Sequence, residues 1–169
     1  MGGRPKGHLA TRDGGTVASR TVALARLVAC EVVLVGRADA YVGLGLESVA
    51  DAPGGGGPLA GLVALLMRAG EGDAIALACD MPYITTAMIE RLATHAPGAA
   101  AVAPRQEGAW SPFFARYDAG AVLACAKAKL ADGAGPRAVL DAVGATELPL
   151  DQDERRALRD WDTPEDVDA

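Results

Sequence analysis

The sequence is poor in aromatic residues and has no long hydrophobic run. Phe, Trp and Tyr make up 4% of the 169 residues, although half of all residues are hydrophobic. The core must therefore be built mainly from Ala, Val and Leu, which suits helices packed on a buried sheet. No apolar run approaches the roughly 18 residues that a membrane span needs. The first residues, Met-Gly-Gly-Arg-Pro-Lys, lack the apolar stretch of a secretory signal.

The sequence also has few cysteines and no net positive charge. The three cysteines, Cys30, Cys79 and Cys125, are far apart and odd in number, which favours a reducing compartment over a disulfide framework. We therefore expect a cytoplasmic protein with no membrane partner. The net charge of −6 argues against nucleic acid as the main partner, because phosphate contacts need clustered Lys and Arg. The length predicts a single domain over residues 1–169.

Short apolar runs alternate with segments of helical spacing along most of the chain. The predicted strands are Glu31–Val35, Leu46–Ala50, Asp73–Cys79, Ala99–Ala103, Phe113–Tyr117 and Thr146–Leu150. Six helices are predicted. The first starts at Thr16 and the last at Thr163. Those between them cover Pro58–Arg68, Thr85 or Thr86 to about His95, Ala119–Leu130 and Pro136–Val143. This alternation predicts an α/β fold with a mostly parallel sheet and helices on both faces.

Two glycine-rich segments are candidate nucleotide-binding loops, because ligands of open α/β sheets bind at the carboxyl ends of strands. The segment from Gly2 to Gly7 offers backbone N–H groups and the charge of Lys6 to phosphate oxygens; the alternative is an unstructured basic terminus. The second segment follows Asp51, continues as Gly54–Gly57 and enters a helix at Pro58. Its glycines would let a flat base approach the backbone; the alternative is a flexible connection.

Two carboxylates are candidate metal ligands. Asp80 follows the most hydrophobic predicted strand, where a carboxylate is costly unless it meets a cation, a donor or water. Mg²⁺ is the usual partner of an isolated carboxylate near phosphates. The alternative for Asp80 is a helix cap. Asp162, in the segment Asp160–Asp166, could add a ligand, although capping the last helix is the more common use of such a residue.

In order along the chain, these motifs resemble those of the molybdenum-cofactor guanylyltransferases. The resemblance is carried by Gly2-Gly3-Arg4-Pro5-Lys6-Gly7, Asp51 with Gly57-Pro58-Leu59-Ala60-Gly61, Cys79-Asp80-Met81-Pro82 and Asp162-Thr163-Pro164-Glu165-Asp166. It implies a Rossmann-like nucleotidyltransferase with three α/β/α layers. It also implies Mg²⁺-dependent transfer of GMP from GTP to molybdopterin with release of pyrophosphate. A downstream molybdoenzyme or chaperone would be a further partner.

The resemblance also implies a role for each matching residue. Lys6 would bind the triphosphate and act in catalysis, and Asp80 would hold Mg²⁺ and contact the nucleotide. Val35, Asp51, Gly57 and Pro58 would contact the base or ribose.

The sequence departs from the family pattern at both ends. Family members begin with a strand and a Leu-Ala-Gly-Gly loop ahead of the segment that Met1 matches. We therefore expect a sheet without its first, central strand, and a non-catalytic binding remnant is one alternative. Asp160-Trp161-Asp162-Thr163-Pro164 resembles the molybdopterin cytidylyltransferases, so CTP is an alternative to GTP. Another nucleotidyltransferase of the same fold is a further alternative.

Overall fold

The computed structural model describes residues 7, 14–36, 41 and 43–158. Within them, the helices are α1 (Val17–Val28), α2 (Pro58–Ala69), α3 (Thr86–Thr94), α4 (Ala119–Ala131), α5 (Pro136–Ala142) and α6 (Gln152–Ala157). The strands are β1 (Val33–Val35), β2 (Glu47–Val49), β3 (Asp73–Leu77), β4 (Ala101–Ala103), β5 (Arg105–Gln106), β6 (Ala109–Trp110), β7 (Phe114–Asp118) and β8 (Thr146–Glu147).

The strands form two separate sheets and a small hairpin. The main sheet has the order β3-β7-β4-β8, in which β4 and β8 are parallel and β7 is antiparallel to both of its neighbours. Strands β1 and β2 form a parallel pair of their own, and β5 and β6 form the hairpin. No strand among the described residues joins β1 to β3.

Helices cover both faces of the main sheet, as the alternating pattern predicted. On one face the core joins α2, α4 and α5 through side chains such as Leu62, Val122 and Leu140. On the other face α3 contributes Ile89 and Leu92. Helix α1 packs against α3 on that second face. The architecture is therefore the expected three-layer α/β/α sandwich.

Helix α2 contacts both sheets. It packs against β1 and against β3. At its carboxyl end the Arg68 guanidinium lies 2.5 Å from Glu31, just before β1, and 2.9 Å from Glu47 at the start of β2. These exposed ion pairs add little stability. They do show that α2 runs antiparallel to β1 and β2.

Local signals set the ends of α2 and α3. Gly57 precedes α2 with φ of 81°, a conformation that favours glycine, and Pro58 takes the first helical position. Gly70 ends the helix with φ of 66°. Thr85 caps α3, its side chain accepting a hydrogen bond from the Met88 backbone. Both predicted helices are confirmed to within one residue at their amino ends.

Three details differ from the predictions. Strand β3 ends at Leu77, so Cys79 and Asp80 lie in a turn beyond the strand. The hairpin of β5 and β6 occupies a segment predicted only as a turn near Gly108. Helix α6 was not predicted. The predicted tail helix at Thr163 lies outside the described residues, and no helix within them is long and apolar enough to cross a membrane.

Candidate active site

Glycines line a shallow edge where β1 and β2 end. The carboxylate of Asp51, just beyond β2, lies between Gly36, which follows β1, and Gly61 in the first turns of α2. A Cβ atom on Gly61 would lie 3.3 Å from Asp51 Oδ1 and 3.5 Å from Val35 Cγ1. A Cβ atom on Gly36 would lie 3.6 Å from the same Asp51 oxygen. The two glycines therefore leave the exposed carboxylate beside open backbone.

The loop between Asp51 and α2 is anchored at both ends. The Ala52 N–H donates to the Ala60 carbonyl at 3.2 Å, which closes the loop against the first turn of the helix. Gly55 packs against the side chain of Leu130 on α4. Gly57 and Pro58 complete the entry to α2, and all four loop glycines are exposed. The loop is thus an exposed backbone surface supported from beneath.

Asp80 lies half-buried in the turn that follows β3. Since Thr85 caps α3, the alternative role of Asp80 as the cap of that helix is excluded. Asp80 also takes part in a polar or electrostatic interaction of its own. Position and burial leave it suited to bind a ligand at the sheet edge, the role predicted for it.

Tyr41 connects the turn after β3 with Gly7. Its hydroxyl lies 3.2 Å from the Cys79 sulfur. Gly7 is buried against the ring, and a Cβ atom on Gly7 would lie 2.7 Å from Tyr41 Oη. Burial is the largest cause that raises the pKa of Tyr41, followed by the bond to Cys79, while the Gly7 backbone acts in the opposite direction. Tyr41 is therefore a neutral phenol at physiological pH.

Cys79 is a hydrogen-bonding partner rather than a nucleophile. Burial raises the pKa of its thiol, and the charge of Asp80 acts in the same direction, against the smaller effect of the Tyr41 hydrogen bond. The thiol is therefore protonated near neutral pH, whereas reactive cysteines need the thiolate. Cys79 itself lies in the turn beyond β3 rather than in the strand.

The path of the chain through α2 indicates how the strands before Asp51 and Asp80 are directed. Helix α2 begins beside Asp51 and ends where Arg68 meets Glu47, at the amino end of β2. Strand β3 starts four residues after α2 and packs against it, so it runs back in the direction of β2. The carboxyl ends of β1, β2 and β3 therefore face one edge, as ligand sites in open α/β sheets do.

Two predicted site residues, Lys6 and Asp162, lie outside the described residues. Among the residues that the structure describes, no three His, Cys, Asp or Glu side chains cluster as a metal cage would. Mg²⁺ is commonly held by one or two carboxylates together with substrate phosphates, so a lone carboxylate such as Asp80 fits that mode of binding.

Sequence reasoning did not find Tyr41. Tyr41 belongs to none of the glycine-rich or acidic motifs. Its partners Gly7 and Cys79 are 34 and 38 residues away in the sequence. Its one sequence signal is the rarity of tyrosine, since the chain has three. A rare polar aromatic residue is a reason to ask what its hydroxyl contacts.

The fold is that of an α/β nucleotidyltransferase. A family model for the MobA-like NTP transferase domain matches residues 1–148. A curated relative from Opitutus terrae, described as a probable molybdenum cofactor guanylyltransferase, is 34% identical over 98% of this chain and 86% of the relative. The chain belongs to the family of MobA-like NTP transferase domains.

Two further comparisons agree with this assignment. A relative of the same description from Pelotomaculum thermopropionicum is 32% identical over 62% of this chain, and the match spans 52% of that protein, about half its length. The crystal structure of molybdopterin-guanine dinucleotide biosynthesis protein A from Archaeoglobus fulgidus superposes with a TM-score of 0.76 at 19% identity. It covers 96% of this chain and 87% of that chain, and it shows the shared fold.

Proposed function

We propose that this protein transfers GMP from GTP to molybdopterin and releases pyrophosphate. The supporting observation is the glycine-lined carboxylate of Asp51 at the start of the loop into α2, the helix that leads to the strand before Asp80. An edge of exposed backbone suits a flat base, and a half-buried carboxylate suits a cation-bound triphosphate. The names of the guanylyltransferase relatives support GTP and molybdopterin as the pair of substrates.

The reaction needs alignment of two anions more than proton transfer. A terminal phosphate oxygen of the pterin would attack the α-phosphorus of the triphosphate in line. The bond from that phosphorus to the bridging oxygen would break, and pyrophosphate would leave with the electron pair. The attacking phosphate is already ionised, so no general base is required. The protein would mainly hold the reactants in position and offset their repulsion.

Each site residue has a part in that alignment. Val35, Asp51, Gly57 and Pro58 would hold the base and ribose, and Lys6 would stabilise the departing pyrophosphate. Asp80 would hold Mg²⁺, which when bound would neutralise phosphate charge. Asp162 would be a further ligand to the metal.

The choice of nucleotide is tested by competition. Pyrophosphate release would be measured with purified molybdopterin and each of the four nucleoside triphosphates, with Mg²⁺ varied. We expect pyrophosphate release with GTP and none when CTP is supplied instead. Preference for CTP would instead support the molybdopterin cytidylyltransferase alternative. Binding of triphosphate without turnover would support the non-catalytic alternative.

The metal assignment is tested by Asp80→Asn, which keeps the shape of the side chain and removes its charge. We expect loss of Mg²⁺-dependent turnover by at least about a hundredfold, with an unchanged melting temperature. Asp153→Asn is the matched control, because Asp153 is exposed on α6 and pairs with Arg156 at 3.6 Å. Full activity in the Asp80 variant would falsify the role of Asp80 in metal binding.

A further inference from the structure

Tyr41 lies where two separate parts of the chain meet. Its hydroxyl bonds the Cys79 sulfur at 3.2 Å, one residue before Asp80. On its other side, the ring and hydroxyl pack directly on the Gly7 backbone. The contact leaves no room for a side chain, since a Cβ atom on Gly7 would lie 2.7 Å from Oη, 2.9 Å from Cε1 and 3.1 Å from Cζ of Tyr41. Gly7 is itself buried by this contact.

We propose that Tyr41 is a positioning residue that holds Gly7 against the turn that carries Cys79 and Asp80. The proposal rests on the proposed function, because it links Gly7, the last residue of the predicted phosphate-binding segment, to the turn in which Asp80 is proposed to bind the metal. Tyr41 itself need not touch the substrate. Its effect is to fix one group relative to another.

The covalent chain gives the mechanism. Consecutive Cα atoms are about 3.8 Å apart, so fixing Gly7 restricts the volume that the Lys6 ammonium group can reach. A backbone position that is fixed before binding loses less conformational entropy when the triphosphate binds. The phenol is suited to this task, because it is uncharged at neutral pH and its hydroxyl can hydrogen-bond the Cys79 sulfur.

The main test is Tyr41→Phe, which keeps the ring and removes the hydroxyl. We expect the KM for the nucleoside triphosphate to rise about tenfold, the effect of losing one or two hydrogen bonds from a pre-ordered site, with kcat within about twofold of the wild type. Gly7→Ala leaves the hydroxyl in place but forces the backbone away from the ring. It should raise the same KM, and it provides an independent test if the Phe variant folds poorly.

Tyr117→Phe is the matched control. The Tyr117 hydroxyl donates to the Pro112 carbonyl at 2.8 Å inside the core, so this variant also loses one buried hydrogen bond. We expect a lower melting temperature and an unchanged KM. A purely structural role for Tyr41 would make the two Phe variants behave alike, with stability reduced and KM unaffected.

A second measurement does not depend on catalysis. In a background where Cys30 and Cys125 are replaced by Ala, the rate at which a thiol reagent modifies Cys79 reports on the contact with Tyr41. We expect Tyr41→Phe and Gly7→Ala to raise this rate several-fold, and the Tyr117 control to leave it unchanged. If the wild type turns over no triphosphate, the proposed function fails, but the modification rate can still be measured. An unchanged rate of Cys79 modification in both variants would refute the contact. Faster modification with an unchanged KM would refute the positioning role.

Discussion

Gly55 in the loop before α2 lies against Leu130 at the end of α4, and a Cβ atom there would lie 2.5 Å from Leu130 Cδ1. Leu130 belongs to the core beneath the loop. We therefore expect Gly55→Ala to displace the loop or the leucine and to cost about 1–2 kcal/mol of folding stability, measured by urea unfolding.

Gly56→Ala is the control for that variant. Nothing lies within 4 Å of a Cβ atom at Gly56, and its φ is not in the left-handed region. The same change one residue away should be neutral or stabilise by up to about 1 kcal/mol, because Ala restricts the unfolded chain. Equal losses in the two variants would show that Leu130 does not set the conformation of the loop.

Arg116 on β7 joins the main sheet to the end of α3. Its buried guanidinium donates to the carbonyl oxygens of His95 and Ala96, both at 3.0 Å, and pairs with Asp73 at 3.0 Å. Lysine cannot reproduce this fork of donors. We expect Arg116→Lys to cost about 2–3 kcal/mol in chemical denaturation, because buried acceptors lose their partners.

Asp73→Asn separates the ion pair from the carbonyl contacts. The Asp73 side chain is half-exposed, so solvent weakens its attraction to Arg116. We expect this variant to lose no more than about 1 kcal/mol. A loss as large as that of Arg116→Lys would mean that the ion pair, rather than the two helix-end carbonyls, dominates the contribution of Arg116.

Alkaline pH should weaken the fold through Cys79. Burial raises the pKa of its thiol, so the folded protein keeps a proton that the unfolded chain has lost. The contribution is complete below the ordinary thiol pKa of about 8.5 and is lost as the pH rises toward the folded-state pKa. Urea unfolding from about pH 7 to about pH 9.5 should therefore show stability falling with pH above the ordinary thiol pKa.

Cys79→Ser removes the titrating group and leaves an oxygen near Tyr41. This variant should show a flatter dependence of stability on pH over the same range. Cys30→Ser, at an exposed position, should keep the slope of the wild type. If the Cys79 and Cys30 variants have the same slope, the buried thiol is not the source of the effect.

Helices with strong local signals could be predicted from the sequence, whereas strand pairing could not. Pro58 marks the start of α2 and Gly70 marks its end. Thr85 marks the start of α3. Each signal lies next to the helix end that it marks. The antiparallel direction of β7 depends on strands far away in the chain, so no local pattern reveals it. The reversal between β5 and β6 uses positive φ at Glu107 and Gly108, and only the glycine was a clear signal.

In the candidate site too, features with local sequence signals could be predicted and features that depend on distant contacts could not. Asp51 and the glycines that follow it could be predicted to lie together because they are close in sequence and end a strand. Helix α6 was missed although Asp151 and Glu154 form a capping box, because its six residues carry no apolar repeat. Tyr41 was missed because its importance lies in two contacts that only the folded chain creates.

Among the described residues, the β1–β2 pair has no hydrogen-bonded connection to the main sheet, and this has a consequence for local opening. Backbone hydrogen bonds of this pair run between two strands of three residues each, while β3 bonds along five residues of β7. Such a small ladder forms a cooperative unit of low local stability, and its amides should exchange with solvent through openings that leave β3 and β7 closed. Asp51 lies just beyond β2, so a nucleotide bound there would slow amide exchange in β1 and β2. Nucleotide binding would therefore stabilise the β1–β2 pair against local opening.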